Sequence, residues 1–378
     1  MKTIFLLAGR TGGPILPLLA VANNLPNVRS IIVGIRGGYE EQVASNYQLP
    51  ILFLPEVKLR SFPKRNLWSQ LVYLIELFGN FWLFLYACLV SLWFLHKYQP
   101  VAIFSAGSFL AVPMLYTTKI YNFWRTPKVQ IVIHQQDPVP GLANKLTFAL
   151  ADIKTYVFNL SVQLEPKLLE AWKIPNPLDL DAFKPESLLQ TALQITTNKP
   201  ELDLFFRFLD KNQPLFLIFG GASGAEAIND WVISNLETLT KRFNILHLTG
   251  SLQKKRYQNL TFQTYLSLSE LSDREMKLAL NLADLVLCRA GLNSISELLY
   301  LQKPAYLVPI PNSHQEYNTQ VVKQYFYILE QKNMSQWVEI IYTTYPHFFH
   351  SINYPSKEEI RQQLDIYYQR LQKFLKLY

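Results

Sequence analysis

"TIFLLAGRTGGPILP", residues 3–17, reads as a strand that ends in a glycine-rich turn and passes into a helix. The run 3–8 is continuously apolar rather than alternating. That suits a strand covered on both faces, as in a parallel α/β sheet. The glycines of the turn let the backbone approach a ligand closely, and the following helix aims its first N–H groups at an anion. Pro14 has no N–H, yet it fits a first helical turn, where that group has no intrahelical partner. A tight turn with no ligand would read the same way at this one place.

The pattern recurs along the chain. Apolar runs rich in Ile, Val and Phe stand at 30–34, 50–54, 101–105, 129–133 and 154–158, then at 215–219, 244–248, 284–288 and 305–309. Helix-length stretches separate most of them, which predicts two doubly wound α/β domains. The 378 residues are about twice a typical domain. "FGGASGAEA" (219–227) follows the first strand of the second series, in the place that "AGRTGG" (8–13) takes in the first. Two glycine turns at matching positions favour ligand binding over a purely structural turn. "IPNPLDLDAFKPES" (174–187), with three prolines, separates the halves, and "TTNKPELD" (196–203) precedes the second sheet. "SKEE" (356–359) is a capping box that opens a helix with Leu364, Tyr367, Leu371, Leu375 and Tyr378 on one face. The boundaries expected are a first domain 1–175, a linker 176–212, a second domain 213–350, and a helix in 351–378 packing back towards the first. Ligands are expected at the carboxyl ends of the strands, in a cleft between the domains.

Hydrophobic residues make up 49% of the chain and charged residues 17%, enough for two cores with apolar surface left over. The net charge of +8 suits nucleic acid, anionic membrane or phosphorylated ligands. Cys88 and Cys288 show neither CxxC nor Cys/His spacing, so no disulfide framework or zinc site is indicated. "TIFLLA" is too short for a signal-peptide core, and a cytoplasmic location is expected. The first turn is not GxGxxG, and "IIVGIRGG" supplies Arg36 where a dinucleotide site needs an acid. The Gly-Lys-Ser/Thr ending of a P-loop is absent from both turns. Nicotinamide cofactors and P-loop chemistry are therefore disfavoured.

Six stretches occur together and in order: "GRTGGPILPLLAVANNL" (9–25), "HQQDPVPGLANKL" (134–146), "IPNPLDLDAF" (174–183), "GGASGAEAIND" (220–230), "ADLVLCRAGLNSISELLYLQKPAYLVPIP" (283–311) and "HQEYNTQ" (314–320). Over residues 1 to about 330 the chain resembles the MurG family of N-acetylglucosaminyltransferases, in glycosyltransferase family 28. The resemblance implies the GT-B fold, two Rossmann-like domains facing a cleft. It implies inverting transfer of GlcNAc from UDP-GlcNAc to a muramyl-peptide on a polyprenyl diphosphate, a step of peptidoglycan synthesis. The UDP-sugar is then a co-substrate, and neither a cofactor nor a metal is expected. Glu297 matches the glutamate that accepts the uridine ribose hydroxyls, a task suited to an ionised carboxylate. Arg289, Gly291, Leu292, Asn293 and Ser294 match the turn around the donor diphosphate. His314 and Gln315 match the segment that reads the sugar, and Ala222 and Ser223 the donor-side glycine turn. Thr11, Gly12, Gly13 and Pro14 match a loop facing the acceptor diphosphate or the donor. A surface ion pair would also account for Arg289 and Glu297, and a loop histidine for His314.

The departures bear on chemistry. Pro14 replaces a family histidine, His134-Gln135 stands for His-Glu, and Asp137 replaces an asparagine that contacts the donor sugar. "PNPLD" replaces GNPVR, which puts Asp179 where a basic donor-site residue is expected. "GGASGA" replaces GGSQGA, which brings in Ala222 and Ser223. Inversion needs a base near the attacking hydroxyl. With no imidazole at position 14, Asp137 is the first candidate and His134 the second. The bland alternatives are a helix N-cap for Asp137 and a satisfied strand-end histidine for His134.

"KLRSFPKRNLWSQLVYLIELFGNFWLFLYACLVSLWFLHKY" (58–98) is the segment a soluble Rossmann domain explains least. It is short of a clean span of roughly 20 apolar residues. Spanning would also separate neighbouring strands of one sheet. An interfacial helix carrying Trp82 and Trp93 behind the basic cluster Lys58, Arg60, Lys64 and Arg65 is expected, at an anionic membrane surface. A buried Rossmann helix is the competing reading. The aromatics sit inside an apolar run rather than between basic residues, so nucleic acid is not expected as a partner. The reading is a peripheral enzyme on the cytoplasmic face of the plasma membrane, with UDP-GlcNAc and a polyprenyl-diphosphate-linked acceptor as partners. The alternatives are a catalytically weakened relative that binds nucleotide-sugar or lipid carrier, and a transferase with another glycolipid acceptor.

Overall fold

The structure is a computed structural model. It describes residues 1–9, 12–57, 67–158, 171–184, 199–221, 224–251, 264–350 and 352–377, with 67–77 and 348–350 as backbone alone. The chain divides into two units, residues 1–177 with 363–378, and residues 178–362.

The first unit carries β1 (Lys2–Leu7), β2 (Val28–Gly34), β3 (Ile51–Phe53), β4 (Ala102–Ser105), β5 (Gln130–Gln135), β6 (Ile153–Tyr156) and β7 (Trp172–Lys173). Its helices are α1 (Gly12–Asn23), α2 (Tyr39–Asn46), α3 (Leu67–Tyr98), α4 (Ala111–Tyr121) and α5 (Leu142–Thr147). The sheet order is β3-β2-β1-β4-β5-β6-β7, and every pairing is parallel. The continuous apolar runs have their physical reason here. Ile4, Phe5, Leu6 and Leu7 of β1 are all fully buried, as are Ile131 and Ile133 of β5, because side chains on both faces meet cover.

The second unit holds α6 (Pro200–Arg207), β8 (Leu215–Phe219), α7 (Glu226–Ser234), α8 (Leu236–Leu239), β9 (Asn244–Leu248), β10 (Tyr265–Leu268), α9 (Asp273–Leu282), β11 (Leu285–Arg289), α10 (Leu292–Leu301), β12 (Ala305–Val308), α11 (His314–Val322), β13 (Tyr327–Ile328) and α12 (Trp337–Thr344). Its order, β10-β9-β8-β11-β12-β13, repeats the doubly wound pattern of the first unit. In such sheets the ligand site forms where the winding reverses, at the carboxyl ends of the strands. That point lies between β1 and β4 in one unit and between β8 and β11 in the other. Each glycine turn follows β1 or β8, so each sits at a switch point.

The last helix, α13 (Lys357–Phe374), buries Leu364, Tyr367, Tyr368 and Leu371, with Leu375 just beyond it; Tyr378 lies outside the described residues. Tyr367 meets Trp172 edge-on, and Gln372 Nε2 donates to the carbonyl of Asn24. Each fully buried Leu or Tyr of this kind contributes roughly 1.5–3 kcal/mol. α3 is 32 residues long, about 48 Å at ~1.5 Å per residue. It buries Ala87, Ser91, Phe94 and Leu95 and leaves Phe78, Phe81, Trp82, Tyr86, Leu89 and Trp93 exposed. The helix is thus not the buried Rossmann helix of the competing reading: over Phe78–Tyr98 only 22% of the apolar window is buried.

Candidate active site

In the first unit the turn after β1 closes against the turn after β4. A Cβ on Gly9 would stand 2.2 Å from Ser108 Oγ and 3.0 Å from its Cβ, so a side chain there would push Ser108 aside where the two turns meet. Arg10 and Thr11 lie outside the described residues. α1 begins at Gly12, which places Pro14 in its first turn, as its lack of an N–H allows. Pro17 lies deeper, one turn after Gly13. It cannot donate to the Gly13 carbonyl, and Gln136 Nε2 does so instead, at 3.0 Å. A sequence-distant side chain therefore ties the loop after β5 to the glycine turn.

That loop carries Asp137, which is half-buried, and its carbonyl accepts from Gln135 Nε2 at 2.6 Å. Gln135 Oε1 in turn accepts from Asn144 of α5. The N-cap of α5 is Gly141, so Asp137 is not the cap of that helix. His134 is different. It is buried in β5, with Nδ1 2.8 Å from Thr155 Oγ1 and Nε2 3.1 Å from Asn176 Oδ1. An amide oxygen only accepts, so Nε2 carries the proton and Nδ1 accepts from Thr155. Burial brings the imidazole pKa down to about 4. A neutral ring with both nitrogens engaged has no lone pair for an acceptor hydroxyl. That is the environment of the satisfied strand-end histidine weighed against a role as second candidate base.

In the second unit Gly220, Gly224 and Ala225 line a depression of 510 Å³ with Glu226, Asp230, Arg289, Ile310 and Gln331. Ala222 and Ser223 lie outside the described residues. Gly224 has φ +85°, and a Cβ there would meet the Thr249 carbonyl at 2.1 Å. Thr249 is held from below: its carbonyl accepts from Asn229 Nδ2, and Asn229 Oδ1 faces His247 Nε2 at 3.0 Å. His247 is buried too, its pKa brought down to about 3 by desolvation. Arg289 ends β11 with its Nη1 donating to the carbonyls of Val308 and Pro309 and to Gln331 Oε1, at 3.1–3.3 Å. It thus braces the depression as well as lining it.

Gly291 is the N-cap of α10 and makes no side-chain cap bond; a Cβ there would meet nothing within 4 Å. The first turn of α10 is Leu292, Asn293 and Ser294, of which Leu292 is buried and the other two half-buried. Glu297 lies in the next turn, half-buried. Desolvation pushes its carboxyl up to about 7, Lys277 pulls it down and Asp273 adds to the rise. Gln315 is buried, and its Oε1 accepts from the N–H of Ile310, so it shapes the 310–315 turn that borders the depression. His314 is exposed at the start of α11. Asp179 is 3.9 Å from Lys277 Nζ, a buried lysine that single-residue reading passed over. Its signal in the sequence was the Asp273–Lys277 spacing on a helix, an i,i+4 ion pair that is normally a surface feature.

Of the residues expected at a membrane surface, Trp82 and Trp93 are both more than half exposed, and Lys97 Nζ stands 4.6 Å over the Trp93 ring. Phe123 and Trp124, just after α4, are 83% and 78% exposed. Lys58, Arg60, Lys64 and Arg65 lie outside the described residues.

Residues 4–152 match the model of the glycosyltransferase family 28 N-terminal domain, and residues 215–342 that of its C-terminal domain. A UDP-N-acetylglucosamine–N-acetylmuramyl-(pentapeptide) pyrophosphoryl-undecaprenol N-acetylglucosamine transferase from Caldanaerobacter subterraneus is 25% identical over 349 residues, 88% of this chain and 87% of that one. The transferase of the same name from Clostridium botulinum is 27% identical over 311 residues, 81% and 77% of the two chains. Among solved structures, Acinetobacter baumannii MurG aligns over 91% of this chain and 90% of its own, with a TM-score of 0.60 and 21% identity. A UDP-GlcNAc 2-epimerase from Neisseria meningitidis aligns over 99% and 100% with a TM-score of 0.59 and 14% identity. These two likenesses establish the two-domain fold. A transferase and an epimerase match almost equally well, so the fold does not choose the reaction.

Proposed function

This chain belongs to glycosyltransferase family 28, and we propose that it transfers GlcNAc from UDP-GlcNAc to a muramyl-peptide carried on a polyprenyl diphosphate, the step that forms lipid II in peptidoglycan synthesis. The observation that carries this reading is the donor half-site: an uncapped helix N-terminus at Gly291 with Glu297 one turn on, beside a glycine turn at the switch point of the second sheet. Glu297 would accept two ribose hydroxyls. The N–H groups of the 291–294 turn would meet the charge that develops on the departing UDP. Arg289 would add its charge to that end of the depression. Gln315 would hold the 310–315 turn, and His314 would face the sugar.

Asp137 is the proposed base. It would take the proton from the acceptor hydroxyl as that oxygen attacks C1 of the sugar, the bond from C1 to the UDP oxygen breaks, and UDP leaves. The tie from Gln136 to Gly13 supports the assignment, because it fixes the Asp137 loop to the turn expected to receive a diphosphate.

The acceptor lipid argues for a peripheral protein on the cytoplasmic membrane face. The exposed apolar side of α3 together with Phe123 and Trp124 supports that placement. β3 and β4, which flank α3 in sequence, lie in one sheet, so a spanning α3 would have to divide that sheet. Purified protein given lipid I and labelled UDP-GlcNAc should yield lipid II. UDP binding without transfer to lipid I or to other glycolipid acceptors would favour a nucleotide-sugar-binding role instead.

A further inference from the structure

Asn229, His247, Thr249 and Tyr265 are all buried, at 0–4% exposure, and hydrogen bonds join them in series. Asn229 Nδ2 donates to the Thr249 carbonyl at 2.9 Å, Asn229 Oδ1 stands 3.0 Å from His247 Nε2, and His247 Nδ1 stands 3.0 Å from the Tyr265 hydroxyl. One end sets every direction. The Thr249 carbonyl can only accept, so the Asn229 amide turns its NH2 there and its oxygen towards His247. That oxygen also only accepts, so His247 carries its proton on Nε2 and accepts from Tyr265 on Nδ1. The series joins α7 through Asn229, β9 through His247 and β10 through Tyr265, and it ends one residue past β9.

What rests on that end is the second glycine turn. Gly224 comes so close to the Thr249 carbonyl that a Cβ on it would stand 2.1 Å from the oxygen and 3.2 Å from Gly250 Cα. This is backbone against backbone, with no flexible side chain to yield. The Gly224 N–H donates to the Gly221 carbonyl at 2.9 Å, and a Cβ on Gly220 would stand 2.3 Å from that of Ala225. A tilt of the Thr249 carbonyl therefore has to move the turn. Asn229 also belongs to α7, whose Glu226, Ala227 and Asp230 line the same depression as Gly220 and Gly224. One amide thus sets the turn and seats the helix that follows it. Stability alone does not call for such a series, because apolar groups of the same shape in place of both partners of a buried hydrogen bond can be nearly neutral. Apolar contacts have no direction, so they cannot hold a carbonyl at one angle. We propose that Asn229 is a positioning residue for the donor sugar nucleotide: it fixes the Thr249 carbonyl under Gly224, and His247, oriented by Tyr265, keeps the amide facing the right way. This rests on the depression being the UDP-GlcNAc site.

Calorimetry with UDP and steady-state kinetics with UDP-GlcNAc and lipid I, on the full-length protein, test it. Asn229→Leu should weaken UDP binding and raise KM for UDP-GlcNAc by about tenfold, with KM for lipid I unchanged. When His247→Leu is added to it, the melting temperature should recover while UDP affinity stays low. His247→Gln keeps an N–H for Asn229 Oδ1 and should bind UDP like the wild type, whereas His247→Leu should not. A series that only supported the fold would lower the melting temperature, kcat and the number of UDP sites per chain, and would leave both KM values alone. Gly224→Ala tests the site itself: unchanged UDP affinity there removes the donor assignment. If Gly224→Ala weakens UDP, yet folded Asn229→Leu binds it like the wild type, or affinity returns with stability in the double variant, the proposal is overturned. Should Asn229→Leu fail to fold, equal UDP affinity in His247→Gln and His247→Leu overturns it.

Discussion

Replacing Gln136 by methionine should loosen the first glycine turn, and Pro17 sets by how much. Methionine keeps most of the side-chain volume and removes the amide that donates to the Gly13 carbonyl at 3.0 Å. A net hydrogen bond is worth about 0.5–1.5 kcal/mol, and a buried acceptor left alone costs more. Gly13 is exposed, so water can reach its carbonyl and the loss should stay near ~1 kcal/mol. Gln136 donates to a carbonyl that Pro17, with no N–H, cannot close into a helical bond. In a Pro17→Ala background that N–H returns, and Gln136→Met should then cost about 0.3 kcal/mol or less, the level at which independent sites simply add. The two substitutions should thus couple by about 0.7 kcal/mol or more in a double-mutant cycle of urea unfolding. Turnover should fall in Gln136→Met alone, since Asp137 follows directly, while UDP affinity should hold. Equal costs in the two backgrounds would show that Gly13 and Gln136 are not linked as argued.

Asp137→Asn almost preserves shape and removes the proposed base; turnover should drop by roughly 10²–10⁴-fold with UDP affinity intact, and full turnover would assign the base elsewhere. The buried imidazole of His134 makes the first unit acid-sensitive. Its pKa falls from 6.5 to about 4 on folding, so between those values the unfolded chain holds a proton that the folded chain does not. Stability is complete above about 6.5 and is lost as pH falls towards 4, by up to about 3 kcal/mol, and urea unfolding of wild type and His134→Asn at both ends of that window checks it. Serine at Phe78, Trp82 and Leu89 should weaken cosedimentation with anionic vesicles without lowering the melting temperature, because all three are exposed. Serine at Lys58, Arg60, Lys64 and Arg65 should remove the salt-sensitive part of that binding, about 1 kcal/mol per charge. Unchanged cosedimentation in both sets would remove the membrane assignment.

Local pattern carried the fold a long way. A strand covered on both faces has to be continuously apolar, so β1, β5, β8, β9 and β11 stood out in the chain, and the glycine turns after β1 and β8 stood at matching places that the strand order then made switch points. The turn proposed for the donor was recognisable as a shape for the same reason: Gly291 and Glu297 are one local unit of strand end, turn and helix. What the sequence could not decide were facts made by distant partners. His134 could be a base or a structural group until Thr155 and Asn176, 21 and 42 residues away, closed on its two nitrogens. The link from Gln136 to Gly13 joins residues 123 apart and depends on a missing N–H at Pro17. Lys277 is an ordinary helical lysine by spacing, and becomes unusual only when Asp179 and Phe183 of the 3-10 turn close over it and it is buried. α3 poses the same question in reverse. An apolar helix has one composition whether it faces a core or a bilayer, and only the neighbours that cover Ala87 and Leu95 but leave Trp82 and Leu89 bare separate the two. Hydrophobic burial and hydrogen-bond satisfaction are properties of surroundings, so the chain alone determines which residues can make a site, and the packing of the sheets determines which of them have lone pairs, charges and surface left to use.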